Sequence, residues 1–158
     1  MTLLAYWLKA GTQYNLHSPF LYDMYNQLLY ARLTKATKQN LMLRKVPRRE
    51  RQYYELLYKF AVRYKPDVVL LRDTSDRWAQ HCLHEAKKNI IIRPLQNDET
   101  DCRLLVRDMC DVALVRQPKG RLMYNEGRAV TLDMYHTGVV LYTTKLMPQH
   151  LLLKGWGW

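Results

Sequence analysis

Lys65-Pro66-Asp67-Val68-Val69-Leu70-Leu71-Arg72-Asp73-Thr74-Ser75-Asp76-Arg77 is the stretch on which the fold turns. Asp67 to Leu71 is a short apolar, β-rich run bounded by charge, the pattern of a strand buried on both faces. Thr74 or Ser75 offers a cap for a helix from about Asp76 to Lys88, which brings Trp78, Cys82 and Ala86 to one face. A strand running straight into a helix is the unit with which α/β folds hold a phosphate or an adenosine. Its turn commonly uses glycine, because the backbone must approach the ligand closely or take a positive φ. Here the turn reads Arg72 to Arg77, and no glycine occurs anywhere between Gly11 and Gly120. The outline of a binding fold is present without its usual ligand-holding residues.

Downstream, Asn89 to Arg93 reads as a second strand stopped by Pro94, Asp98 to Cys110 as a helix, and Asp111 to Val115 as a third buried strand. Strand, helix, strand, helix, strand predicts right-handed crossovers and a mostly parallel sheet. Ala129 to Tyr135 and Gly138 to Thr144 are separated only by His136-Thr137, a hairpin signal with Gly138 available for a positive φ. Upstream, Leu21, Met24, Leu28 and Ala31 recur at helical spacing over Ser18 to Ala31, with Ser18 as cap and Pro19 in the first turn. Arg32 to Val46 is polar, basic and without a period. Arg48 to Tyr64 then forms a second amphipathic helix through Tyr54, Leu57, Tyr58, Ala61 and Val62, ended by Lys65-Pro66. Residues 1–64 are therefore a basic helical cap on one domain whose α/β core runs over 65–158.

One domain suits the length: 158 residues support a core, and a domain of that size buries roughly 68–70% of its unfolded surface. The hydrophobic fraction of 48% and charged fraction of 25% are ordinary for a soluble globular protein and favour neither disorder nor a membrane class. No apolar run approaches the roughly 20 residues that cross a bilayer, and Met1 to Ala10 lacks the basic leader of a signal peptide, so a cytoplasmic location is expected. Cys82, Cys102 and Cys110 have no C-x-x-C spacing, which argues for buried thiols over a disulfide framework or a zinc knuckle. The net charge of +11 is the strongest bias. Arg44, Lys45, Arg48, Arg49 and Arg51 extend a basic series that starts at Arg32, Lys35 and Lys38. Such a stripe neutralises phosphates, of nucleic acid or of another anionic ligand, or else is a solvated face; composition leaves both open.

Leu16-His17-Ser18-Pro19-Phe20-Leu21-Tyr22-Asp23 resembles the opening of a family of S-adenosylmethionine-dependent, class I methyltransferase-like proteins of Bacteroidetes. Lys65 to Leu71 resembles that family's first strand, and Thr74-Ser75 the middle of its Gly-Thr-Ser-Leu-Gly cofactor loop. Val130 to Tyr142, followed by Pro148 and His150, resembles its closing hairpin. The resemblance implies a Rossmann-like α/β fold with a reduced, mostly parallel sheet ending in an antiparallel hairpin. It also implies S-adenosylmethionine at Arg72, Asp73, Thr74, Ser75, Arg93 and Arg116, the positions at the ends of the three strands. The departures all go one way. Asp73 and Asp76 replace the two loop glycines, Arg93 stands where an acid accepts the ribose hydroxyls, and Arg116 where Asp is expected. Each hydroxyl left without an acceptor costs about 1–3 kcal/mol. Between Val115 and Ala129 the usual strand-helix unit has shrunk to a polar loop. The expected function is accordingly a methyltransferase-like binding or scaffolding module without cofactor or catalytic residues. An active S-adenosylmethionine-dependent methyltransferase and a basic nucleic-acid-binding module are the alternatives.

Four arginines, Arg72, Arg77, Arg93 and Arg116, gather at the carboxyl edge of such a sheet, either as an anion site or paired to Asp73, Asp76, Asp98 and Asp101. His81, His84 and Glu85 share a helix, but two histidines at this spacing lack a zincin order, and no metal is expected. His17 is placed to cap or pack the first helix, and Trp156 and Trp158 end the chain on a glycine-containing stem.

Overall fold

The computed structural model describes residues 18–97, 99–107, 110–117, 129–143 and 145–153. His17, Asp98, the greater part of the Arg116–Arg128 loop and the tryptophan tail lie outside them. Ser18 is extended and its Oγ accepts from Leu21 N at 3.5 Å, capping helix α1 (Pro19–Met24), with Pro19 where no amide is needed. The helix continues as a π-helical turn, Tyr25–Tyr30, and buries Leu21, Met24, Tyr25, Leu28 and Leu29. The aperiodic basic segment holds two short elements, α2 (Lys35–Asn40), capped by Thr34, and a 3-10 turn, Leu43–Lys45. Helix α3 (Arg48–Tyr64) starts after Pro47 and stops at Lys65, which takes φ 46° ahead of Pro66. It buries Tyr53, Tyr54, Leu56, Leu57, Phe60 and Ala61, and each large apolar side chain of that set contributes roughly 1.5–3 kcal/mol by leaving water.

Seven strands follow: β1 (Val68–Leu71), β2 (Ile91–Pro94), β3 (Cys102–Leu105), β4 (Asp111–Arg116), β5 (Ala129–Asp133), β6 (Thr137–Tyr142) and β7 (Gln149–Leu152). Helix α4 (Arg77–Ala86) connects β1 to β2. They form one mixed sheet in the order β2-β1-β3-β4-β6-β5-β7. The molecule is an α/β fold, compatible with a Rossmann-like layout. The β1–α4–β2 unit is parallel as expected, and the β5–β6 hairpin is antiparallel as expected. Its turn places the positive φ at Tyr135, at 73°, with Asp133 Oδ1 accepting from Tyr135 N at 2.8 Å.

Two expectations are corrected. Asp98 to Cys110 does not form a helix: it contains β3, inserted between β1 and β4 and antiparallel to both. Cys102 and Leu104 are fully buried while Arg103 and Leu105 are half-buried, a period of two that only a strand satisfies. As a result, among the described strands only β1/β2 and β5/β7 pair in parallel, so the sheet is mixed where a mostly parallel one was expected. The second correction concerns β1. Val69 and Leu71 are buried but Val68 and Leu70 only half so, and the strand is dry on one face.

That dry face is continuous. Val69 pairs with Leu104, Leu104 with Val112, Val112 with Leu141 and Leu141 with Val130. Together with α1, α3 and α4 these residues form the main core. The opposite face carries a small cluster of Ala113, Ala129 and Val140, flanked by Arg103, which pairs with Asp111 at 3.0 Å and lies over the Tyr142 ring at 4.3 Å.

Candidate functional site: the carboxyl edge of the sheet

Arg116 ends β4 with the same parity as Val112 and Leu114, so its side chain rises on the helix-bearing face, beneath the start of α3 and α4. There its guanidinium lies 4.9 Å from the centre of the fully buried Tyr53 ring, a cation–π contact. Its NH1 is 3.3 Å from Asp76 Oδ2, 3.4 Å from the Tyr54 hydroxyl and 4.0 Å from Glu50 Oε2. Its NH2 is 3.5 Å from Asp101 Oδ1, and its backbone N–H donates to Asp101 Oδ2 at 2.6 Å. Tyr54 donates its hydroxyl to Asp76 Oδ2 at 2.9 Å. Arg72 joins the same network, its backbone N–H donating to Asp101 O and its NH1 3.7 Å from Asp101 Oδ1. Asp101 reaches this edge because β3 runs antiparallel and begins here.

The electrostatics fit a closed assembly. Burial works against the charge of Arg116, but the oxygens of Tyr53, Asp101, Tyr54 and Asp76 outweigh it and hold its pKa above the ordinary value. Burial pushes the Tyr53 phenol well up; burial and then the hydrogen bond to Asp76 do the same for Tyr54. The neighbouring Cys102 thiol is likewise raised by burial. These groups are protonated donors at neutral pH, so the arrangement has the chemistry of a structural clamp rather than of an activated nucleophile.

The strand-to-helix loop is occupied by its own side chains. Asp73 Oδ1 accepts from Ser75 N at 2.9 Å and from Ser75 Oγ at 2.6 Å, and these two bonds, the side-chain one first, hold its carboxyl below the usual range. No residue from Arg72 to Asp76 takes a positive φ. The cap of α4 is Asp76, one position beyond the expected Thr74 or Ser75. Its Oδ1 accepts from Trp78 N at 3.1 Å and Ala79 N at 3.0 Å, so these two first-turn amides, of the kind that meet a phosphate, already have an acceptor.

The other expected site residues scatter. Arg72 and Arg116 converge on Asp101, while Arg77 and Arg93 are exposed and make no ion pair among the described residues, so the four arginines do not form one anion site. Thr74 is exposed on the loop. Arg44, Lys45, Arg48 and Arg49 are exposed along the 3-10 turn and the start of α3. Arg51 turns inward and donates to Val46 O at 2.9 Å and Arg44 O at 3.1 Å, bracing that turn. His81 Nε2 lies 2.8 Å from Asn40 O, and among the described residues no three metal-binding side chains come together. Sequence reading passed over Tyr53, Tyr54 and Glu50 as site residues. Glu50, Tyr53 and Tyr54 fall within the first two turns of α3, and their i, i+3, i+4 spacing was the available signal.

No protein-family model, curated protein or solved structure matches this chain.

Proposed function

We propose that the chain is a methyltransferase-like α/β module that has given up the cofactor crevice and acts as a binding or scaffolding protein. The observation that carries this reading is Arg116, held between Asp76 and Asp101 and stacked on Tyr53 at the edge of the sheet where an adenosyl ligand would lie. S-adenosylmethionine does not suit these residues. Its ribose needs a paired acceptor at the end of β2, where Arg93 offers only donors, and its methionine portion needs open backbone at the loop that Asp73 and Ser75 fill. Admitting it would also mean separating Arg116 from two carboxylates that are each about nine-tenths buried, a loss of several kcal/mol before any contact is gained.

Calorimetric titration of the full chain with S-adenosylmethionine is the direct test. The expected result is no heat of binding. Micromolar affinity overturns the reading in favour of an active methyltransferase.

A further inference from the structure

We infer that the cleft between the Leu33–Arg44 segment and α3 is a binding site for a small, hydroxyl-bearing organic phosphate of the sugar-phosphate class. It shares no lining residue with the Arg116 network and goes beyond the reading of that edge. The cleft has a volume of about 360 Å³, within the range of roughly 300–1,000 Å³ typical of small-molecule sites.

Four of its lining residues are cations, Lys35, Lys38, Arg44 and Arg51, against one acid, Glu55. The side chains of Lys35 and Arg44 are exposed and have neither ion pair nor hydrogen bond among the described residues, so their charge is open to a ligand. Arg51 is fixed by its two backbone carbonyl acceptors, Val46 O and Arg44 O, and presents its remaining edge in a set orientation. These are the attributes of a phosphate seat: exposed cations to neutralise it and a braced guanidinium to orient it.

Glu55 decides what accompanies the phosphate. It is nearly buried, with Lys59 Nζ 3.3 Å from Oε1 and Lys38 Nζ 3.9 Å from Oε2. Oε1 is shut away from solvent beside Lys59, so the acceptor capacity open to a ligand is that of Oε2, whose ion pair to Lys38 is too long for a hydrogen bond. A carboxylate with acceptor capacity to spare beside a phosphate seat favours a ligand with hydroxyl donors over a bare anion, which it repels. Leu33 and Leu43 supply the apolar surface for the carbon skeleton between those groups. A polymer of nucleotides is served less well, since its successive phosphates would pass the carboxylate, and the cations for a running backbone, Arg48 and Arg49, lie outside the cleft.

The test is calorimetric titration of the full chain with ribose phosphate, inorganic phosphate and ribose, repeated on Lys35→Ala and Arg44→Ala. Both positions are exposed, and unchanged melting curves verify that the variants fold. Ribose phosphate is expected to bind more tightly than inorganic phosphate or ribose, and each variant to lose about tenfold or more, the worth of one charge-assisted contact. Glu55→Gln is expected to narrow the gap between ribose phosphate and inorganic phosphate. Absence of ribose phosphate binding, or affinity unchanged in both alanine variants, overturns the proposal. So does tighter binding of a single-stranded oligonucleotide whose loss is carried by Arg48→Ala and Arg49→Ala instead.

Discussion

Arg116 illustrates how one side chain sets the character of a whole edge. Parity within β4 points it at the helices, and everything it meets is an acceptor or a π face: Asp76, Asp101, Glu50, Tyr54 and Tyr53. The desolvation of a guanidinium with 29% of its side chain exposed is moderate, whereas its carboxylate partners are far more enclosed. Removing it therefore hurts through what it leaves behind. Arg116→Ala strands Asp76 and Asp101 without their shared counter-ion, and the expected destabilisation is about 2–3 kcal/mol, the lower end for a buried pair because solvent screens part of this one. Urea unfolding measures it as a lower midpoint at unchanged slope. Arg116→Lys keeps the charge but not the fork that reaches Asp76 and Asp101 together, so its loss should lie between wild type and alanine. A midpoint unmoved by Arg116→Ala would mean that the network is ornamental.

At the scale of elements, α4 and β3 show what local sequence does and does not reveal. Asp76 joins three elements in two ways: Oδ1 caps α4, and Oδ2 meets Tyr54 of α3 and Arg116 of β4. The two uses are separable. Asp76→Ser keeps a capping oxygen and loses the ionic partner, while Asp76→Ala loses both. Alanine is expected to unfold about 1 kcal/mol more readily than serine, measured by the same urea titration, and equal stabilities would remove the cap from the account. The strand β1, the helix after it and the β5–β6 hairpin were legible because their signals are local: a β-branched run, capping side chains, and two alternating apolar runs a short turn apart. Asp98 to Cys110 was not. Its apolar residues Cys102, Leu104, Leu105 and Val106 satisfy helical and strand periods alike over so short a span, and the choice is made by the vacancy between β1 and β4. The ion network followed from that choice, because only an antiparallel β3 carries Asp101 to the carboxyl edge. The sequence offered Asp101 as a partner for the strand-end arginines, but not which arginine. Nor was the cleft beside α2 legible, since it brings Lys35 and Glu55 together through the fold of a segment with no period.

For the molecule as a whole, the organisation of the core makes the cysteines reporters of its integrity. Helices α1, α3 and α4 pack on one face of the sheet, and Cys82 of α4 and Cys102 of β3 both belong to that single shared core, each fully buried. Burial pushes the Cys82 thiol up to about 12 and raises Cys102 as well, so at neutral pH neither offers thiolate to a reagent even if one reached it. Cys110 differs: it precedes β4, is only half-buried, and its pKa is raised chiefly by burial but partly offset by a backbone hydrogen bond. Local opening near Cys110 disturbs one strand end, whereas exposing Cys102 means parting β3 from β1 and β4 and lifting α3 from the sheet, which is close to global unfolding. Labelling with a thiol-reactive disulfide at neutral pH, resolved site by site by mass spectrometry, should therefore modify Cys110 first. Cys82 and Cys102 should follow together, with a denaturant dependence equal to that of global unfolding. If the cap formed by α1 and α3 instead separated from the sheet as an independent unit, Cys102 would react at low denaturant while β4 and β6 stayed paired. Such early labelling would divide into two parts what the continuous row from Val69 to Val130 makes one.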